Sequence, residues 1–383
     1  SIDGGGIRGY SSLLILQRLV EAISECETKE ESEKCPDSGR SFDPQQIRLG
    51  NYFNCIYGAS TGGIIATMLG RLNMTVTQCL EVYQDVGRDV FGHKRLIGHV
   101  PFVTKYAGKN VEDAAKQIVK RCCTEHGSSS GEDLFAEEGS AKRQCETICV
   151  TASRRDGCSH SLCLLRTHSN HGDILAPWLR CNGGSTELRI WEVIRATSAA
   201  PFYFHPFSAT SNGALIRFKD GGILANNPAQ VAWDDHQSRY SAAPALLLSI
   251  GTGKPQRTYD GFSDRPGGRL LGSFHEKLAI ARHMYSNYTS TEITHQSMLA
   301  NARGEASWYK RLNPPGLGEI ALDEWKRGLW RDPETGKEKT ISGGSTISKI
   351  EKGTEEYLRD ALVSMKVSRT AMLLVRRRRM REA

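Results

Sequence analysis

YFNCIYGASTGGIIATMLGRL, residues 52–72, decides the fold. Its first part reads as a short aromatic and apolar strand, the glycines at 58 and 62 bracket a sharp turn, and an apolar helix is expected from about Gly63. Within the turn, Gly58-Ala59-Ser60-Thr61-Gly62 satisfies G-x-S-x-G, a pattern that exposes its serine while the flanking glycines relieve clashes around it. The same serine has a plainer reading, as a cap on the helix that follows.

Working outward to the N-terminus, SIDGGGIRG (residues 1–9) holds Gly4-x-Gly6-x-x-Gly9, which matches the dinucleotide fingerprint and equally a glycine loop built to receive an oxyanion. The loop leads into a helix, because Leu13, Leu14, Leu16, Leu19, Val20 and Ile23 fall on one stripe. Residues 26–48 then turn charged and proline-containing, with no strand pattern. A dinucleotide fold needs a second parallel strand here, carrying an acid for the ribose, so that reading fails.

Further along, residues 76–91, 110–123 and 186–200 read as helices, TICVTAS (147–153) and PALLLSI (244–250) as buried strands, and ALIRFKD (214–220) as a strand running into a turn. Helices alternating with short β-rich runs predict an α/β sheet covered on both faces. Asp220 ends one of these strands and is followed by Gly221 and Gly222. It has two readings: a functional carboxylate with open space around it, or the Asp-Gly of a hairpin turn.

Composition narrows the classes. The five arginines at 376–379 and 381, less Glu382, supply four of the net +7, so the body is close to neutral and has no basic stripe for nucleic acid. The arginine run itself reads as a solvated end or a contact for anionic lipid. Eleven cysteines without a repeating framework point to reduced thiols and an intracellular, cytoplasmic setting. Seven lie between Cys122 and Cys181, near His126, His160, His168 and His171, but no paired C-x-x-C supports zinc, and neither a metal nor a cofactor is expected. No apolar run reaches the 18 or so residues that span a bilayer. The chain has no initiator Met and opens where a first strand ends, so it is expected to continue upstream.

DGGGIRG at 3–9, GASTG at 58–62 and DGG at 220–222, in that order, resemble the signature of the patatin-like phospholipases: a D-G-G-G-x-R-G loop, a G-x-S-x-G serine and a D-G-[AG] aspartate. ATSAAPFYFHPF (196–207) and DGGILANNP (220–228) are similar to stretches of that family as well, and the resemblance covers about residues 1–235. It implies a three-layer α/β/α sandwich with a mostly parallel central sheet. It further implies Ser60 as nucleophile, Asp220 as its base, and the N–H groups of Gly4, Gly5 and Gly6 as oxyanion hole, with no histidine required.

The implied activity is that of a serine esterase, a phospholipase A-like lipid acyl hydrolase working through an acyl-enzyme. Its partner is a phospholipid or other lipid ester, with transient, peripheral contact at a membrane surface. Asp3 is expected to fix the loop by bonding to its own backbone. Arg8 either steadies the loop, meets a lipid phosphate or forms a surface ion pair, while Gly9, Gly58, Gly62, Gly221 and Gly222 support the motifs. Phe202, Tyr203, Phe204 and Phe207 either line an acyl channel or fill the core, core being the expectation, and His205 is a neighbour without a role. Residues 1–235 form the expected catalytic core, 236–375 complete the same domain, and 376–383 are a basic tail. Two rivals remain: an α/β-hydrolase triad using His236, His275, His283 or His295, and a catalytically silent lipid-binding protein of the same fold.

Overall fold

The computed structural model describes residues 1–35, 39–92, 104–122, 130–136, 145–156, 159–167, 187–211, 213–254, 291–303, 308–333 and 335–382. In chain order the longer helices are α1 (Gly9–Lys34), α2 (Thr61–Ala66), α3 (Val76–Phe91), α4 (Gly108–Cys122) and α5 (Ile190–Thr197). They continue with α6 (Gly222–Ala225), α7 (Ala229–Arg239), α8 (Glu292–Asn301), α9 (Gly344–Leu358) and α10 (Ala361–Glu382). The strands are β1 (Cys55–Ala59), β2 (Thr147–Asp156), β3 (Ser159–Arg166), β4 (Phe207–Ser211), β5 (Ala214–Asp220), β6 (Leu247–Ile250), β7 (Tyr309–Leu312), β8 (Gly328–Arg331) and β9 (Glu338–Ile341).

Ile2 lies at the centre of the sheet, bridging Gly58 of β1 on one side and Ile250 of β6 on the other, both in parallel sense. β1 pairs parallel with β2, and β6 with β7, so the middle is parallel. The far end is antiparallel: β3 pairs with one edge of β2, and β5 takes over the other edge where β1 stops, with β4 outside it. Side chains alternate across this sheet as strand geometry requires. Ile56, Ile148, Val150 and Leu165 face the large core shared with α1 to α5, α9 and α10. Tyr57, Cys149 and Leu164 face the opposite layer, where Val231 and Ala232 of α7 cover them. Helix, sheet and helix therefore form three layers, an α/β sandwich with a parallel-rich sheet.

Local chemistry explains the elements that carry the site. α3 begins in a capping box, with Gln78 N donating to Thr75 Oγ1 at 3.3 Å and Thr75 N to Gln78 Oε1 at 2.9 Å. α1 follows its apolar stripe, and Leu13, Leu19 and Ile23 are fully buried, each worth ~2 kcal/mol. It also runs nine residues into the charged excursion expected to be irregular. The reason is tertiary. Glu27, wholly buried, receives Arg378 at 2.8 Å and Arg379 at 2.7 Å from α10.

The same contacts tie down Arg378 and Arg379 within the run expected to be a solvated end, while Arg376, Arg377 and Arg381 are exposed. These arginines close the last turns of a 22-residue helix, and Arg381 donates to Asn54 Oδ1 and Asn51 O at 2.9 Å each.

Candidate active site

Between the end of β1 at Ala59 and the start of α2 at Thr61, the turn is a single residue, Ser60. Its backbone sits at φ 53°, ψ −123°, a region that costs a residue with a side chain on the order of 1–3 kcal/mol. Neighbours hold it there: Ser60 N donates to Thr197 Oγ1 at 2.9 Å, and Ala59 N to Ile2 O at 3.2 Å. The tightness of the turn requires glycine beside it. A Cβ on Gly62 would lie 2.6 Å from Asp3 O, and one on Gly58 would overlap the Gly62 carbonyl. Ser60 makes no side-chain cap to α2. Its Oγ donates to Asp220 Oδ2 at 2.6 Å, across 160 residues of sequence.

Asp220 closes β5, and the chain then enters α6 through Gly221 and Gly222 with no returning strand, so the hairpin reading gives way. Gly222 N donates to Asp220 Oδ1 at 2.7 Å, Asp220 N to Ala199 O at 3.0 Å, and Ser153 Oγ to Asp220 O at 3.0 Å. A Cβ on Gly221 would overlap the Thr151 carbonyl, which is why this corner can approach β2 so closely. The carboxylate is 2% exposed, and none of its described hydrogen-bond partners is a cation. Burial pushes its pKa up to about 6, against the opposing pull of the Ser60 and Gly222 hydrogen bonds.

The glycine loop abuts this pair, and a Cβ on Gly4 would lie 3.0 Å from Ser60 Cβ. Its three N–H groups are not equivalent. Gly4 N donates to Asn226 O at 3.0 Å, and Gly4 O accepts from Thr252 Oγ1 at 2.9 Å, so Gly4 is committed to the scaffold rather than open to a ligand. Among the described residues, the N–H groups of Gly5 and Gly6 meet no acceptor. Gly6 adopts φ +56° with the Leu322 carbonyl packed where a Cβ would stand, so only glycine fits.

Asp3 does not bond to the loop's backbone with its side chain, as expected from sequence. Its carboxylate pairs with Arg311, Nη2 to Oδ2 at 2.7 Å, both groups nearly inaccessible. Arg8 steadies the loop: its Nε donates to Gly5 O at 3.3 Å and its Nη1 to Gly318 O at 3.0 Å. Gly9, at the head of α1, faces Tyr83 and Thr61.

Ser60, Asp220 and Gly6 line one cavity of about 110 Å³. Its walls are apolar: Ile64 and Met68 from the segment after Ser60, Val82, Val86 and Val90 from α3, and Val111, Ala115 and Ile118 from α4. Tyr203 and Phe204 belong to the wall, while Phe202 is exposed and Phe207 packs in the core against Trp191 and Phe218. The α3 and α4 walls were missed as site elements. Their signal was the spacing of Val82, Val86 and Val90, which a core-facing helix shares.

Of the histidines weighed for a triad, His236 Nε2 lies 2.9 Å from Ala242 O, and His295 Nδ1 lies 3.1 Å from Tyr309 Oη. Neither bonds to Ser60 or Asp220, and His275 and His283 lie outside the described residues. Among the described residues no three His, Cys, Asp or Glu side chains converge as a metal site. Cys123, Cys158, Cys181, His126, His168, His171 and the side chain of His160 are not among them. No described helix is long and apolar enough to cross a membrane.

Fold and site together define an α/β protein that holds a serine–aspartate pair at the head of an apolar cavity. The chain belongs to the patatin-like phospholipase family, whose model matches residues 1–233. It is 26% identical over 325 residues to the rabbit (Oryctolagus cuniculus) protein named calcium-independent phospholipase A2-gamma, covering 85% of this chain and 35% of that protein. It is 25% identical over 416 residues to phospholipase A I of Arabidopsis thaliana, 94% of this chain and 28% of that protein. Patatin-like phospholipase 1 of Plasmodium falciparum is 26% identical over 341 residues, 84% of this chain and 44% of that protein. The chain thus spans about a third of the length of the first two.

Proposed function

We propose that the chain is a lipid acyl hydrolase that cleaves carboxylic esters of phospholipids through an acyl-enzyme on Ser60. The observation that carries this reading is the 2.6 Å bond from Ser60 Oγ to a buried carboxylate without a cation, raised to about 6. An ordinary aspartate, near ~3.9, is a poor acceptor for a hydroxyl proton, and the apolar setting raises its affinity.

In the first half-reaction Asp220 takes the Ser60 proton as Oγ attacks the ester carbonyl. The oxyanion is received by the N–H groups of Gly5 and Gly6, and a donor of this kind is worth about 3–4 kcal/mol of barrier. Asp220 then protonates the departing alcohol. In the second half-reaction it deprotonates water, which attacks the acyl-serine, and as the Oγ–acyl bond breaks it returns that proton to Ser60 Oγ, releasing the carboxylic acid and restoring the pair. The apolar cavity between α2, α3 and α4 suits an acyl chain, and no cofactor enters the scheme. Such a substrate brings the enzyme to a membrane surface transiently.

Residues 1–235 supply the nucleophile, base and loop, and 236–375 are read as completing the same catalytic unit, since Arg311, Gly318 and Leu322 brace the loop. The test is covalent capture. A fluorophosphonate is expected to label the wild-type chain and not Ser60→Ala, and ester hydrolysis is expected to disappear with the label. Unchanged labelling in Ser60→Ala overturns the assignment. Alanine at His236, His275, His283 or His295 is expected to leave labelling intact, and its loss at one of them favours a triad.

A further inference from the structure

Tyr83 lies on α3 in the wall of the cavity, and its hydroxyl joins two parts of the site that the chain itself keeps far apart. It donates to the main-chain carbonyl of Gly6, and Thr61 Oγ1 lies 2.5 Å from Tyr83 Oη. Because the phenol has one proton and Gly6 O can only accept, the Thr61 hydroxyl is the donor of the second bond. The result is a relay from Thr61 Oγ to Tyr83 Oη to Gly6 O. Thr61 follows the proposed nucleophile, and Gly6 contributes a proposed oxyanion donor. We propose that Tyr83 is a positioning residue that holds the oxyanion loop in register with the nucleophile turn and ties both to the acyl cavity.

Four observations support this beyond the two bonds. Gly6, at φ +56°, has no side chain to fix its conformation, so the loop there is set by what its peptide groups touch. The peptide that follows it is gripped at both ends: Tyr83 binds the Gly6 carbonyl, and Leu322 O accepts from Ile7 N at 2.9 Å. Gly9 then acquires a physical role, since a Cβ there would lie 2.5 Å from Tyr83 Oη and 2.7 Å from Thr61 Oγ1. The last glycine of the loop keeps the relay's place clear. Val82 and Val86, flanking Tyr83 on α3, line the same cavity, so a chain packed against them bears on the helix that carries the hydroxyl.

The proposal rests on the hydrolase reading, and its test is kinetic. Tyr83→Phe keeps the ring in the wall and removes the relay. The expected result is a kcat lowered about ten-fold with KM within about two-fold, the signature of an interaction that matters in the transition state. A raised KM at wild-type kcat makes Tyr83 a wall residue only and overturns the proposal. Thr61→Val breaks the chain from its other end. The double variant is expected to be no slower than Tyr83→Phe alone, whereas losses that multiply overturn the relay. Should Tyr83→Phe fail to fold, Thr61→Val decides by the same kcat and KM criterion. A wild-type chain that neither labels nor hydrolyses sinks the hydrolase reading and this proposal with it; equal kcat in wild type and Tyr83→Phe overturns this proposal alone.

Discussion

Asp220 and Asp235 are both buried, yet they are surrounded in opposite ways. Asp235, on α7 in the far layer, is bracketed by Arg166 at 2.8 Å and Arg239 at 2.5 Å, and the Tyr57 hydroxyl donates to it. Among the described residues, the Asp220 carboxylate receives only a serine hydroxyl and one main-chain N–H. Tyr57 and Ser60 are three residues apart along the strand and its turn, so one short stretch of β1 serves both environments. A carboxylate committed to two guanidinium groups is tied up in ion pairs that hold the layer together. One given neutral donors in a dry place keeps an appetite for protons. Residue type is the same at both sites; the neighbours decide which aspartate is scaffold and which is chemistry.

The contrast breaks most directly at Asp220. Asp220→Asn is expected to lower hydrolysis roughly 10⁴-fold, measured on a chromogenic ester, and an active variant would erase the distinction. The same change is expected to raise stability at pH 7. The folded pKa, about 6, lies above the unfolded value of 3.8, so between these values the folded state keeps a proton that the unfolded state has released. Stability therefore falls as pH rises through that window, at a cost of ~3 kcal/mol once both are deprotonated. Asn escapes that cost, and its thermal advantage should vanish near pH 4.

At the other pole, Asp235→Ala strands the buried Arg166 guanidinium and is expected to cost ~3–5 kcal/mol in denaturant titration, while kcat of the folded fraction stays at wild type. Third, kcat/KM is expected to climb with pH and level off above about 6, as Asp220 loses its proton and becomes competent to accept one. A profile flat from pH 5 to 8 removes it as the base. Smallest is Arg379→Ala, which leaves Glu27 with Arg378 and Tyr52 and should cost ~1 kcal/mol by thermal shift.

Much of this was legible before any coordinates. The strand, turn and helix around Ser60, the end of β5 at Asp220 and the alternation of helices with strands are all set by local periodicity and glycine placement, and these survive in the fold. What could not be read belongs to contacts across the chain. Nothing in DGGGIRG tells that Gly4 N–H is taken by Asn226 while those of Gly5 and Gly6 remain open. Asp3 looked like a turn residue because its partner, Arg311, is 308 residues away. The charged run after Cys26 looked irregular because the groups that neutralise it lie on α10. Tyr83 was one aromatic on an amphipathic helix, and only the fold brings Gly6 and Thr61 to its hydroxyl.

The bracing of the glycine loop bears on how short a working version of this chain can be made. The family model's match ends at residue 233, yet Arg311 holds Asp3, Gly318 holds Arg8, and Leu322 holds Ile7. A truncation drawn at the edge of the recognisable motif would retain every residue proposed to touch the ester and discard the buttress behind them. The smallest fragment that keeps the loop braced must therefore reach past Leu322, and mutational surveys confined to the motif would overlook the parts that keep it in shape.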